Sequence, residues 1–178
     1  MNAPDMNHAT RDAALLDWRT HDTTRHLLFA FLGAFAGALV TGVLLWLDVG
    51  HAHLTQVLIV AHLAAGVLAL AFFVPFVVVH WRDGKEPLVH LVLPLRLLAE
   101  WRWDVLARRR LIGHALMWSL ALLIVSGCVI AAPALLYLAG YPLTLPYGAH
   151  VWLLDAHRWL TPLPLVALAA HFPMEERS

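Results

Sequence analysis

Charged residues and cysteine are both scarce in this sequence. Only 13% of its 178 residues are Asp, Glu, Lys or Arg, whereas soluble domains carry about 25%. The single cysteine, Cys128, has no second thiol with which to form an intramolecular disulfide. The sequence also lacks a CxxC haem-attachment motif, the cysteine pattern of an iron–sulfur cluster and a glycine-rich nucleotide loop. These absences exclude an ordinary soluble domain and an enzyme built on any of those motifs.

Apolar residues make up 61% of the chain and fall into long segments. A helix needs about 20 apolar residues to cross a hydrocarbon core of about 30 Å. The segments that satisfy this length cover residues 26–47, 54–79, 111–138 and 151–172. We therefore expect an all-α membrane protein, a four-transmembrane-helix bundle that forms one domain (26–172). Polar tails are expected at residues 1–25 and 173–178.

The basic residues predict the orientation of the chain in the membrane. They concentrate near the termini and between the second and third segments, whereas the two other loops contain no Lys or Arg. By the positive-inside rule, the middle loop and both termini are cytoplasmic in a bacterial inner membrane. The middle loop, Arg82 to Arg110, alternates leucines with charged residues, which favours an amphipathic helix on the cytoplasmic surface. Since the apolar segments predict a membrane protein, we expect a lipid bilayer and no nucleic acid among the partners.

Histidine is the most informative residue type, since its 12 copies equal the number of Lys plus Arg. His157 and His171 lie fourteen positions apart, which places them near one helix face and about 21 Å apart along the axis. A histidine in hydrocarbon is costly and needs a partner, and haem iron is a common one. The alternative is that one histidine lies at the membrane interface and the other at a hydrated helix end.

Four histidines form two pairs, in which both members lie at a similar depth along their predicted helices. Counted from the outer ends of their helices, His62 lies about 12 Å deep and His157 about 9 Å deep. His26 and His171 both lie about 31 Å deep. Two such pairs suit two bis-histidine sites on opposite sides of the bilayer.

Two other histidines compete with His26 for the inner site. His80 lies eighteen residues after His62, which is about five whole helical turns, so both share one face of the second helix. Its depth of about 39 Å exceeds that of His171. The second rival is His114, at the start of the third segment.

The order and spacing of these histidines resemble those of the di-haem transmembrane cytochromes b. This family includes the cytochrome b (gamma) subunits of membrane formate dehydrogenases, thiosulfate reductases and nickel–iron hydrogenases, and the small bacterial cytochromes b561. The matching motifs, which span residues 25–172, are Arg25-His26, Thr41-Gly42, Val60-Ala61-His62-Leu63-Ala64-Ala65-Gly66 and His157-x13-His171.

The resemblance implies two haem b groups held between helices. In the family, histidines matching His26 and His171 ligate the iron of the cytoplasmic-side haem. Those matching His62 and His157 ligate the iron of the outer haem. Two features differ from the family: its members usually have residues between the arginine and the first histidine, and the two prolines between the fourth-helix ligands are unusual.

The function implied is electron transfer rather than catalysis by this chain. We expect a subunit that carries electrons across the bilayer between a redox partner subunit, of the iron–sulfur or cytochrome c type, and the quinone pool. Quinone is expected near His171, His80 and Arg82. Arg158 is expected to bind a propionate of the outer haem, or alternatively to pair with Asp155 or reach the outer interface. The alternative functions are a stand-alone b561-like quinone oxidoreductase and a haem-free membrane scaffold or assembly protein.

Overall fold

The computed structural model describes residues 4–84 and 105–171, with side chains in 22–82 and 107–171. Within these ranges the chain is helical and forms no β-strand. The helices are α1 (Pro4–Trp46), α2 (Ala52–Gly84), α3 (Val105–Leu138), α4 (Tyr147–Leu160) and α5 (Pro162–His171). The chain divides into two compact units, Met1–Glu86 and Pro87–Ser178. The first unit contains α1 and α2, and the second contains α3, α4 and α5.

Three of these helices are long and apolar enough to cross a membrane. The candidate spans are Asp22–Trp46, Ala52–Arg82 and Ala107–Leu138, of 25, 31 and 32 residues. At a rise of about 1.5 Å per residue, each exceeds a hydrocarbon thickness of about 30 Å. Many of their apolar side chains are exposed, such as Val57, Val60 and Val67 of α2, as expected for surfaces that face lipid. The structure therefore confirms an all-helical protein with three candidate membrane spans.

The fourth apolar segment is interrupted. α4 and α5 have 14 and 10 residues, and they are joined at Thr161, whose backbone stays in the α-helical region (φ −57°, ψ −41°). Pro162 and Pro164 have no backbone N–H, so neither can donate to the carbonyl four residues earlier. Thr161 donates its own backbone N–H to the Arg158 carbonyl, three residues back, at 3.2 Å. Neither short helix reaches the length of a membrane span, and a crossing by the whole segment stays a prediction.

In the first unit, α1 and α2 form an antiparallel pair. Phe31 of α1 is 3% exposed, and its ring lies 5.4 Å from that of Phe73 on α2. Further along, a Cβ atom built on Gly37 of α1 would lie 3.7 Å from the Cβ of Ala65 on α2. The contacting residue numbers rise along α1 as they fall along α2, so the helices run in opposite directions. The next contact in this series is between Gly42 of α1 and His62 of α2.

In the second unit, α3 packs against both α4 and α5. Leu120 and Leu123 of α3 are buried, and Pro164 of α5 is fully buried. Gly127 of α3 faces α4, and Gly113, earlier in α3, faces α5. α3 is therefore antiparallel to the two shorter helices, and a histidine from each of them lies against it.

Part of the predicted organisation lies outside the described residues. The amphipathic segment predicted over 82–110 falls mainly in residues 85–104, and the predicted C-terminal tail (173–178) also lies outside. α1 begins at Pro4, so one helix runs through the boundary predicted between the N-terminal tail (1–25) and the membrane domain. The candidate span within α1 begins at Asp22, close to that boundary.

Candidate functional site

His62, in the first third of α2, is held by three residues of α1, Ala38, Thr41 and Gly42. We call these three residues the His62 seat. Its Nδ1 atom lies 2.9 Å from the Ala38 carbonyl oxygen and 3.2 Å from the Thr41 hydroxyl oxygen. A carbonyl oxygen only accepts hydrogen bonds, so Nδ1 carries a hydrogen and donates it. The neutral imidazole then has its lone pair on Nε2.

Gly42 provides the space for this ring. A Cβ atom built at position 42 would lie 3.0 Å from Cε1 and 3.3 Å from Nδ1 of His62, which is tighter than nine in ten real Cβ contacts. The neighbouring Thr41 hydroxyl donates to the Gly37 carbonyl at 2.8 Å, so its oxygen faces His62 as an acceptor. The Thr41-Gly42 pair therefore combines an oxygen acceptor with room for an imidazole.

His157, in the last turn of α4, is held in the same way by two residues of α3, Ser126 and Gly127. We call these two residues the His157 seat. Its Nδ1 atom lies 2.9 Å from the Ser126 hydroxyl oxygen. Ser126 donates its own hydrogen to the Leu123 carbonyl at 2.8 Å, so the hydroxyl oxygen accepts from the imidazole. A Cβ atom built on Gly127 would lie 3.1 Å from His157 Cε1. This arrangement favours the His157 tautomer with its hydrogen on Nδ1.

His171, the last residue of α5, lies against the start of α3. A Cβ atom built on Gly113 would lie 3.8 Å from His171 Cε1, an ordinary contact. The Nδ1 atom of His171 is buried and has no hydrogen-bond partner among the residues that the structure describes. His114 follows Gly113, is 8% exposed, and has Nδ1 2.7 Å from the Arg110 carbonyl oxygen. The end of the second unit at which α3 begins and α5 ends thus places two histidines close to one glycine.

The remaining histidine candidates lie on exposed surfaces of the first unit. The His26 side chain is 75% exposed, and its Nδ1 atom lies 2.8 Å from the Asp22 carbonyl oxygen, one turn earlier in α1. His80 is exposed on α2, where its ring stacks on Phe76 at 5.4 Å. Arg82, in the last turn of α2, is also exposed. These side chains face outward at the end of the unit where α1 begins its candidate span and α2 ends.

Arg158 adopts the alternative contact that the sequence predicts. Its Nη1 atom lies 3.4 Å from Asp155 Oδ1, and the two side chains are 36% and 56% exposed. An exposed pair of this kind contributes about 0–1 kcal/mol. Arg158 can therefore leave Asp155 for a stronger anionic partner at little cost, and its contact with a haem propionate stays a prediction.

Each predicted histidine pair draws one residue from each compact unit. His62 and His26 belong to the first unit, whereas His157 and His171 belong to the second. The pairing itself comes from predicted depth, and it stays a prediction. Within residues 22–82 and 107–171, no group of three His, Cys, Asp or Glu side chains is placed to hold a metal ion. A bis-histidine haem site requires only two such ligands for each iron.

Sequence reasoning missed Ser126, Gly127 and Gly113. The signal for the first two was present, because a hydroxyl residue followed by glycine occurs inside α3 as it does at Thr41-Gly42 inside α1. A comparison of the two halves of the chain for such pairs would have found them. Gly113 has no comparable signal, since its role depends on where α5 ends.

Comparisons of this chain with protein-family models, curated proteins and solved structures find no match. The resemblance to the di-haem cytochromes b therefore rests on the motifs and on the spacing of the histidines. The two seats are independent of that resemblance, because they follow from the contacts within each unit.

Proposed function

We propose that this chain is a di-haem cytochrome b subunit of a membrane oxidoreductase, which carries electrons between a redox partner subunit and the quinone pool. One observation supports this function above the others. His62 and His157 each lie over a glycine, and each has Nδ1 2.9 Å from an oxygen of a neighbouring helix. Histidines that ligate a metal are usually held through the other ring nitrogen in this manner, with the tautomer fixed and the ligand basicity raised.

The seats therefore fit haem ligands at the outer level. With hydrogen on Nδ1, the lone pair of each imidazole is on Nε2, the atom that would ligate iron. When bound, haem b supplies a one-electron couple. The protein holds the ring orientation of His62 and His157 through Ala38, Thr41 and Ser126. Their assignment to one haem rests on their similar predicted depth.

At the inner level, we assign His171 and His26 as the ligand pair. A buried polar atom without a hydrogen bond destabilises a protein by about 1–3 kcal/mol. The Nδ1 atom of His171 is such an atom among the described residues, and iron bound at Nε2 would leave it without a partner, so the assignment of this pair rests on the shared predicted depth of the two histidines. His26 is exposed on its unit, so its ring is accessible to a cofactor. His114 and His80 stay alternatives to His26.

Quinone is proposed to bind near the inner haem. His80 is stacked on Phe76, and the Phe76 ring in turn stacks on that of Phe31 at 6.3 Å. The stack gives His80 a defined position on an exposed, apolar surface, which suits a flat ring with polar oxygens. His80 can donate a proton or a hydrogen bond to a quinone oxygen, and Arg82 lies two residues further along α2.

The membrane arrangement that goes with this function is a four-helix bundle in the bacterial inner membrane, with both termini cytoplasmic. α4 and α5 together cover residues 147–171, which at about 1.5 Å per residue is long enough to cross the hydrocarbon core. The partner subunit would carry iron–sulfur clusters or cytochrome c. Arg158 would exchange Asp155 for a propionate of the outer haem.

A difference absorption spectrum tests this function. The full chain is expressed in a bacterium, and its membranes are reduced with dithionite and compared with the oxidised sample. The proposal predicts the α-band of low-spin b-type haem, in an amount that rises with the amount of the chain. A chain that inserts in the membrane and purifies without that band would contradict the proposal.

A further inference from the structure

We infer that Thr41 and Ser126 are positioning residues, which hold His62 and His157 as Nδ1–H tautomers and thereby set the redox potential of the metal centre these histidines bind. The inference rests on the proposed function for its metal centre, whereas the tautomers are inferred from hydrogen-bond geometry within each unit. It assigns the same role, acceptance of a hydrogen bond from Nδ1–H of a histidine, to two residues on different helices.

The same arrangement occurs in each compact unit. In the first unit, a histidine of α2 contacts a hydroxyl residue followed by a glycine, Thr41-Gly42 on α1. In the second, Ser126-Gly127 on α3 receive a histidine from α4. The glycine contacts agree closely, with built Cβ atoms 3.0 Å and 3.1 Å from the Cε1 atoms of the two histidines. Both rings also rest on the glycine through the same atom.

At His62 the Ala38 carbonyl requires hydrogen on Nδ1, and at both sites the bonds that the hydroxyl groups make to their own helices favour the same tautomer. Thr41 donates to the Gly37 carbonyl at 2.8 Å and also lies 3.1 Å from the Ala38 carbonyl. Ser126 donates to the Leu123 carbonyl at 2.8 Å. A hydroxyl group has one hydrogen to donate, so the oxygen of each is left as an acceptor toward histidine. Each pair therefore favours the tautomer with hydrogen on Nδ1.

This hydrogen bond has an electronic consequence. An acceptor on Nδ1–H raises the basicity of the imidazole, and a more basic ligand favours the oxidised state of an iron bound at Nε2. Loss of the acceptor should therefore raise the midpoint potential. The effect should be larger at Ser126, whose oxygen is 2.9 Å from Nδ1. At His62 the Thr41 oxygen is 3.2 Å away, and the Ala38 carbonyl at 2.9 Å stays in place when Thr41 is substituted.

The experiment compares Ser126→Ala and Thr41→Val with two kinds of control. Ser119 of α3 is 8% exposed and donates to the Leu116 carbonyl at 2.9 Å, much as Ser126 donates to Leu123. It lies two turns before Ser126 on nearly the same helix face, so Ser119→Ala removes a buried hydroxyl away from the seat. Thr41→Ser and Ser126→Thr keep the acceptor oxygen and should restore the native behaviour.

Redox titrations of the purified full chain, followed at the haem α-band, give the readout. We expect Ser126→Ala to raise the potential of one of the two haems, and Thr41→Val to raise the same one by less. Ser119→Ala, Thr41→Ser and Ser126→Thr should leave both potentials at their native values. Unchanged potentials in Ser126→Ala, or an equal rise in Ser119→Ala, would overturn the inference while leaving the proposed function intact.

A second measurement separates failure of the inference from failure of the proposed function. If the purified chain carries no haem, the proposed function fails, and the tautomers are then read directly by nitrogen NMR of the histidine-labelled chain. The His157 signal is identified by its loss in His157→Gln. The inference predicts hydrogen on Nδ1 in the native chain and a mixture of tautomers in Ser126→Ala. Hydrogen on Nε2 in the native chain would overturn it.

Discussion

Gly127 of α3 and His157 of α4 are in such close contact that the residue at position 127 controls where the imidazole lies. A Cβ atom at 127 would be 3.1 Å from His157 Cε1 and 3.7 Å from Nδ1. The ring is also held by a 2.9 Å hydrogen bond to Ser126. A methyl group at 127 therefore has to displace a ring that is already held in place.

We expect Gly127→Ala to move the His157 ring by a few tenths of an ångström and to lengthen its bond to Ser126. Under the proposed function, the outer haem should shift in potential or be lost, as seen in redox titrations of the purified chain. Gly42→Ala should act similarly at His62, where the built Cβ atom is 3.0 Å from Cε1. Gly33→Ala on α1 is the control, because nothing lies within 4 Å of its built Cβ atom. Equal effects in Gly33→Ala and Gly42→Ala would contradict the role of the seats.

Removal of each fourth-segment histidine should remove a different haem. His157→Ala is expected to lose the outer haem and His171→Ala the inner one, because each is the proposed α4 or α5 ligand at its level. The two haems are distinguished by their potentials and by their low-temperature α-bands. If both variants keep the native haem content and unshifted potentials, the ligand assignment is wrong.

The second ligand of the inner haem can be identified by three single substitutions. We expect His26→Ala to lose the low-spin signal of the inner haem, since His26 and His171 share a predicted depth of about 31 Å. His80→Ala should keep that signal and slow the reduction or oxidation of an added quinone. His114→Ala should keep both haems.

The reverse results would reassign this ligand. Loss of the inner haem in His80→Ala, with retention in His26→Ala, would move the ligand from α1 to α2. Loss in His114→Ala alone would place it on α3, next to the Gly113 that His171 contacts. Folding of each variant is checked by its yield in the membrane fraction.

The length of apolar segments predicted the first three helices well, because a helix in lipid must satisfy its own backbone hydrogen bonds. The same criterion does not show the interruption at Thr161, whereas the two prolines that follow it predict a bend there. There, the hydrogen bonds lost at Pro162 and Pro164 determine where α4 ends. Segment length is insensitive to these local losses, so four long segments were expected where the structure has three long helices and two short ones.

The candidate site was predictable in part. Depth along a helix follows from residue number, so the levels of His62 and His157 could be estimated from the sequence. The direction in which a side chain faces could not be estimated. The long helices are apolar on all sides, so no polar face distinguishes the side that packs on another helix from the side that faces away. Thr41-Gly42 was identified as a family motif and as small residues that allow close approach, but its contact with His62 was not predicted, and Ser126-Gly127 was missed. The exposure of the His26 side chain could likewise not be predicted from its depth along the helix.

Haem stoichiometry tests the central proposal most directly. The full chain is purified in detergent, its haem is measured as the pyridine haemochrome, and its protein is measured by amino-acid analysis of the same sample. Two haem b per polypeptide, in low-spin form with two resolved midpoint potentials, is the result that the proposal predicts. One haem per polypeptide, or none, from a chain that has been supplied with haem during expression would contradict it.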